Sequence, residues 1–408
     1  MRWALFWMIA WLFFGGSFRA AQADDMQQVL ENAWARNAEI AALTARRAEI
    51  LARRRAAGRI TPGPPSLGVG HLNDYATGDD GYREYDVELG TPIWLPGEGT
   101  AIRRLADAEL AQLDAELDVA RLAVAGDVRD AYWRVRLAAA AVEAARRRLE
   151  AARALQGDLD RQVRVGQVAR ADLLLSVAET ADARSILSTE ETSLAQARLA
   201  FHALTGAEPP GDFVEPEVPA QADDRHPRRV ALRRTVGVTD ANARLLSIQD
   251  RDNPEVALLG VVERELYNDP YDKRIGVRVV IPFATEGRNE PRRRANEVER
   301  TRALAGLRAT DYQLQAAVGR AEAELAATRE RAALAEERHR ALAERLQLVE
   351  RSVRLGEGAL VELIRARANL FEAEVARLQS DVAVMQAQSQ LNQALGLNPW
   401  SPAREALR

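Results

Sequence analysis

The 408-residue chain contains no cysteine. That absence removes disulfide bonds, a thiol nucleophile, thiolate ligation of a metal and a thiol-linked lipid. Lysine is almost missing as well: of 56 basic residues only Lys273 is lysine, a bias we ascribe to genome base composition. Those 56 stand against 60 acidic residues, for a net charge of −4. A balance of this kind argues against nucleic acid as a partner. The four histidines, His71, His202, His226 and His339, are scattered with no helical pairing, so no metal site is expected. No phosphate-binding glycine loop or nucleophile motif appears, and acidic pairs on helices usually meet arginines three or four residues away. The sequence therefore predicts no catalytic residues, no cofactor and no enzyme.

Long apolar runs are missing too, with one exception. Met1-Arg2 precede an apolar stretch from Trp3 to Phe14, then Gly15-Gly16, and Ala21-Gln22-Ala23 stands before Asp24. A charged start, a short hydrophobic segment and a small-x-small site read as a secretory signal peptide, residues 1–23, cut after Ala23. The run is shorter than the roughly 20 residues a membrane-spanning helix needs.

What the chain does have is a repeat. VRVGQVARADLL, starting at Val163, returns as VRLGEGALVELI, starting at Val353, an offset of 190 residues. Between Arg161 and Leu173, six of thirteen positions are identical to their counterparts. The same offset pairs Pro64 with Pro254, Gly70 with Gly260, Pro92 with Pro282, Gly97 with Gly287, Gly206 with Gly396 and Pro209 with Pro399. So long a period means a duplicated half, not a solenoid array. The expected organisation is a first repeat over 24–208, a linker over 209–229 and a second repeat over 230–408. The linker breaks the helical pattern, with five prolines between Glu208 and Arg229.

Each half opens with a helix, Met26 to about Gly58 and Pro227 to Asp250, and continues with a β-hairpin, over 64–94 and 254–283. In Glu84–Trp94, Tyr85, Val87, Leu89 and Ile93 alternate with Glu84, Asp86 and Glu88; in Arg274–Phe283, Ile275, Val277, Val279 and Ile281 alternate with Arg274 and Arg278. The partner strands, Pro65–Leu72 and Glu255–Glu263, are weaker. Helical hairpins follow over 97–206 and 287–396. An apolar stripe runs along the first from Leu110 through Leu117, Val124 and Val128 to Val135. Gly97 to Gly166 and Gly287 to Gly356 are both 69 residues apart, so each arm would reach roughly 100 Å at about 1.5 Å per residue. Gly166 and Gly356 supply the reversal at the far end.

Four strands, apolar on one side and polar on the other, cannot close by themselves, and open edges of that kind aggregate. Two solutions remain on the residues alone: several copies complete one barrel, lipid outside and water inside, or the hairpins pack as a small soluble sheet on the helices. Tyr82, Tyr85, Trp94, Tyr267, Tyr271 and Phe283, near the strand ends, would suit the interfacial belts of a barrel.

Signal peptide, hairpin, very long helix, a Val-Arg-x-Gly turn followed by an acidic residue, and a returning helix, all twice, resemble the TolC family of outer-membrane efflux proteins. The resemblance covers about Asp24 to Pro399. Gly90-Thr-Pro-Ile-Trp-Leu-Pro-Gly97 also resembles members that serve heavy-metal or general resistance-nodulation-division (RND) pumps. It implies a mainly α fold with a β-barrel portion: a long α-helical coiled-coil barrel plus four transmembrane β-strands per chain, internally duplicated, three copies sharing a 12-stranded barrel in outer-membrane lipid. The implied function is that of the outer-membrane channel in a tripartite efflux system, a homotrimer working with a periplasmic adaptor and an inner-membrane pump of the RND type, in a Gram-negative cell.

Carried over residue by residue, the resemblance makes Val165, Gly166, Gln167, Leu355, Gly356 and Glu357 the tips that dock the adaptor. Asp172 and Glu362, with Arg365, would form the periplasmic gate. Asp86, Glu88 and Arg278 are expected to face the barrel lumen. The chain departs from the family pattern in two places. Arg365 stands where a second gate acid is expected, with no latch arginine near Gly358, so Glu362 could pair with Arg365. Asp24 stands where many relatives carry a lipidated cysteine. Three other readings compete: the channel of a type I protein secretion system, a periplasmic adaptor, which would have one helical hairpin, and a soluble coiled-coil scaffold.

Overall fold

The computed structural model describes residues 26–398 apart from 212, 219–223, 284–286, 288, 356 and 358. The expected signal peptide, its cleavage site and Gly356 lie outside the described residues. The elements run α1 (26–36), α2 (Ala38–Ala56), β1 (Ser66–Asn73), β2 (Arg83–Pro92), α3 (Glu98–Arg164), α4 (Arg170–Thr205), α5 (Pro227–Ile248), β3 (Glu255–Arg264), β4 (Asp272–Val280), α6 (Glu290–Arg354) and α7 (Leu360–Ala394). Helix, hairpin and two-helix arm thus occur twice. The arms are as long as the glycine spacing predicts, α3 having 67 residues and α6 65. The opening helix is not continuous as expected. It breaks at Asn37, whose side-chain oxygen accepts the Ile40 N–H at 3.0 Å and so caps α2.

The chain divides into two compact units that cut across the repeats. One holds the described residues up to Ala41 together with Val119–His226 and those from Tyr312 onward. In it the two helical arms pack together: Leu155 and Leu159 of α3 meet Leu363 of α7, joined by Leu173 of α4 and Leu346 of α6. Farther along, Leu325 of α6 packs on Ala387, Leu391 and Leu395 of the α7 end. The stripe predicted on α3 is buried, with Val124 at 4% and Val128 at 1% exposure.

The linker is pinned into this unit by polar contacts with both arms. Arg129 of α3 grips the Glu215 carboxylate through Nε (2.8 Å) and Nη2 (3.0 Å), and its Nη2 also donates to the Leu397 carbonyl. Ser389 and Asn392 of α7 donate to the same carboxylate, and Tyr132 donates to the Gly211 carbonyl at 2.8 Å. Every lone pair of a buried carboxylate needs such donors, since an unpaired buried charge is costly.

The second unit comprises Ala42–Asp118 and Pro227–Asp311. Here Ile50 of α2 packs on Ala106 and Leu113 of α3, flanked by Arg47–Asp114 and Arg54–Asp107 ion pairs, both at 2.6 Å. The α5–α6 pair is laced in the same way, by Arg229–Asp311 (2.6 Å) and Arg300–Asp240 (2.8 Å). The four strands form one antiparallel sheet in the order β1-β2-β3-β4. Among the described residues, both outer strands have a free edge.

Candidate functional site

The sheet is built inside out. On β2, Tyr85, Val87 and Leu89 are exposed, whereas Glu84, Asp86 and Glu88 between them are half-buried. Leu67 and Val69 of β1, Leu258 of β3, and Ile275, Val277 and Val279 of β4 continue that exposed apolar face across the sheet, since directly paired residues point to the same side. On the opposite face Glu88 accepts from Arg278 at 2.8 Å across β3, and Glu263 pairs with Arg274 at 2.5 Å. All three expected lumen residues, Asp86, Glu88 and Arg278, therefore lie on one polar face. A soluble sheet packed on helices would bury its apolar side instead.

Pairing register corrects one detail of the repeat. Ser66 pairs with Gly90, but Glu255 pairs with Val280, so β1 matches β3 at an offset of 189 while β2 matches β4 at 190. Gly70 consequently shares the polar face with Asp86, whereas Gly260 lies on the apolar face with Val87. A single-residue slip flips every side chain of a strand to the other face. On the polar face Asp86 leans over β1: a Cβ at Gly70 would lie 2.0 Å from Asp86 Oδ1, so the carboxylate occupies the space beside the glycine.

Aromatic and cationic side chains gather at the hairpin tips, where Arg264 sits over the Tyr267 and Tyr271 rings and Arg83 over Tyr75. At the other end of the sheet, Trp94 donates to the Arg59 carbonyl at 2.9 Å, and Phe283 is exposed. The strand-to-helix junction is held by Glu98, a residue sequence reasoning missed. Its buried carboxylate accepts from the Leu95 N–H (3.2 Å), Gln249 (2.8 Å) and Asn253 (2.7 Å). A Glu at the first turn of a predicted helix was the only signal available.

At the far end of the first arm, Gly166 has φ +76°, with Gly166 N–H bonded to the Val163 carbonyl (3.0 Å) and Gln167 N–H to Gln162 (2.9 Å). These two bonds are a Schellman cap, which requires a left-handed residue. The second arm repeats the longer bond, Glu357 N–H to Ser352 at 3.0 Å. Val165 and Leu355, equivalent by the repeat, are each 68% exposed, and the leucine cluster around Leu363 brings the two arms together just behind them.

Asp172 and Glu362 occupy equivalent third positions of α4 and α7. Their N–H groups bond to Ala169 and Ala359, alanines that offer no side-chain cap. The carboxylates stand where the helix dipole favours negative charge. Glu362 faces Arg345 of α6 at 3.9 Å, in place of the suggested partner Arg365, which is exposed.

Behind the tips a groove of about 290 Å³ is lined by residues including Arg148, Glu179, Arg367 and Phe371. Its charges are matched: Arg148–Glu179 at 2.8 Å, Arg367–Glu350 at 3.0 Å and Arg147–Glu374 at 2.6 Å. Hydrogen bonding to Glu374, and then to Glu143, holds the Arg147 guanidinium above its ordinary range. Among the described residues no cluster of His, Asp and Glu could hold a metal ion, and no helix is long and apolar enough to cross a membrane.

The model of the family described as outer membrane efflux protein matches residues 65–207 and 234–397, most of both halves. The chain belongs to that family. It is a passive outer-membrane channel of a tripartite efflux system, extending into the periplasm and working with an adaptor and an inner-membrane pump. Solved structures of similar fold include VceC from Vibrio cholerae (18% identity, TM-score 0.69, 92% of this chain and 97% of that one). CusC is similar too (17%, 0.71, 91% and 92%), as is the open state of MtrE from Neisseria gonorrhoeae (20%, 0.68, 91% and 89%). Comparison with curated proteins finds no match. Neither the adaptor reading, which requires a single helical hairpin, nor the secretion channel or the soluble scaffold is favoured by these findings.

Proposed function

We propose that three copies of this efflux channel close their sheets into one 12-stranded barrel in outer-membrane lipid and their helical arms into a coiled-coil tube. The observation that carries this reading is the inverted sheet: exposed Val69, Leu89, Ile275 and Val277 on one face, carboxylates and arginines on the other, and an unpaired edge at either side. Lipid covers the apolar face, and a neighbouring strand satisfies each edge.

In this reading Val165, Gly166, Gln167, Leu355, Gly356 and Glu357 dock the adaptor. The two exposed apolar side chains support that role, since paired apolar knobs at a polar tip suit a contact surface. Asp172 and Glu362, with Arg365 beside them, line the periplasmic entrance, where threefold repetition of carboxylates would concentrate negative potential and favour cations. Asp86, Glu88 and Arg278 face the lumen. The inner-membrane partner is of the RND type, on the strength of the Gly90–Gly97 stretch.

Cell fractionation and size analysis test the assembly: it should pellet with outer membranes and leave them only in detergent, as a trimer. Release as a water-soluble monomer would overturn the reading. Deleting the gene and challenging the cells with metals, drugs and dyes identifies the transported class.

A further inference from the structure

The two free edges carry enough information to assign how copies meet. Within the chain β2 and β3 pair so that Gly90 faces Ala257 and Asp86 faces Val261. β4 is equivalent to β2 at an offset of 190 and β1 to β3 at 189. A seam between β4 of one copy and β1 of the next that repeats the β2–β3 pairing therefore has only one register. We infer that this register sets Arg278 opposite Gly70 of the neighbouring copy, with the neighbour's Asp86 carboxylate directly beyond it, so that an arginine–carboxylate pair locks each subunit seam on the lumen side. The inference rests on the closed-oligomer reading above and adds to it the seam's register and a specific residue pair.

Three observations converge on it. First, the faces agree. The register puts Val279 against Val69 and Val277 against His71 on the lipid side, and Arg278 against Gly70 on the polar side, each residue keeping the face it has within the chain. A shift of one residue would put arginine into lipid.

Second, Asp86 already reaches toward the seam. Its Oδ1 lies 2.0 Å from where a Gly70 Cβ would stand, so the carboxylate covers β1, the strand at the free edge. Two strands flanking a third are about 10 Å apart, a gap that arginine and aspartate bridge together when only glycine stands between. Within the chain an arginine–carboxylate pair already spans a strand in this way, Glu88 and Arg278 meeting at 2.8 Å across β3, where Ala257 and Leu259 stand between.

Third, Arg278 has capacity left. Nη1 serves Glu88, and the guanidinium is about half exposed, so the rest of its donor fork is free to take a second carboxylate. Closing the ring would thus set Glu88, Arg278 and the neighbour's Asp86 in alternation around the lumen.

Because the chain has no native cysteine, disulfide mapping reads the register directly. A disulfide needs Cα atoms within about 7 Å, which directly opposed residues satisfy and diagonal neighbours do not. Val279→Cys paired with Val69→Cys should cross-link on oxidation in isolated outer membranes, giving covalent dimers and trimers on a non-reducing gel. Val279→Cys with Leu67→Cys, or with His71→Cys, should cross-link several-fold less. If one of those two pairs cross-links best, the register is wrong while the closed oligomer stands. If none of the three does, the edges do not meet and both readings fall. The ion pair is tested separately. Asp86→Asn should lower the temperature at which the detergent-resistant oligomer dissociates, while Glu84→Gln, on the same polar face but with its carboxylate engaged by the Tyr82 hydroxyl beside it, should not; equal behaviour of the two would overturn the lock.

Discussion

Arg129 and Glu215 lie 86 residues apart in the chain, yet form a two-point ion pair in which both side chains are at most 5% exposed. The pair ties the proline-rich linker to α3, and Ser389 and Asn392 extend it to α7. Truncating one member leaves a buried charge alone. Glu215→Ala should therefore destabilise the protein by roughly 3–5 kcal/mol. Replacing both members with apolar residues of similar volume, as in Arg129→Met with Glu215→Leu, should recover much of that loss. Thermal unfolding in detergent, followed by circular dichroism, checks both variants.

Glu98 plays the corresponding part at the strand-to-helix junction, where one buried carboxylate accepts three hydrogen bonds, one from its own junction and two from the α5–β3 connection. Glu98→Ala should lose about 2 kcal/mol, the scale of buried hydrogen bonds to a charged group. Faster hydrogen exchange should appear at the Leu95 amide before any change at the arm tips, a difference that mass spectrometry of peptides from both regions resolves.

Gly166 adopts a left-handed conformation that the Schellman cap requires. Gly166→Val should cost roughly 1–2 kcal/mol and increase exchange at residues 162–167. Gly237, exposed in the interior of α5 with open space around it, is the contrasting case. Gly237→Ala should gain about 0.5–1 kcal/mol, because alanine restricts the unfolded chain without meeting a neighbour. Parallel melting curves give the two opposite signs.

Val165 and Leu355 contribute little to the chain's own packing, at 68% exposure each. Val165→Asp combined with Leu355→Asp should leave folding and outer-membrane assembly intact while weakening capture of the adaptor at least tenfold, since burying one such side chain contributes roughly 1.5 kcal/mol or more. Copurification of the adaptor from cells expressing equal amounts of each channel measures this, and normal capture by the double variant would remove the tips from the interface.

Much of the architecture was legible because it is local. Gly97, Gly166 and Gly287 each take the left-handed conformation at a helix boundary, and the alternation of Tyr85, Val87 and Leu89 with Asp86 and Glu88 marks a two-faced strand. Periodicity and turn chemistry act over a few residues, so the sequence alone determined the duplicated order, the long arms and the polar face that carries Asp86, Glu88 and Arg278. The break at Asn37 is also local, but the helical pattern continues on either side of it and does not mark the break.

Tertiary structure alone decided what depends on distant segments meeting. Identity at offset 190 aligns Gly70 with Gly260, yet hairpin pairing places them on opposite faces, because β1 and β3 correspond at 189 and a one-residue difference reverses the face. Glu215 reads as one acid among several in a linker until Arg129, Ser389 and Asn392 converge on it. Glu362 likewise finds Arg345 on another helix, where spacing had suggested Arg365. Side-chain partners across helices and strands are chosen by packing and register, and neither is written in the residues on either side.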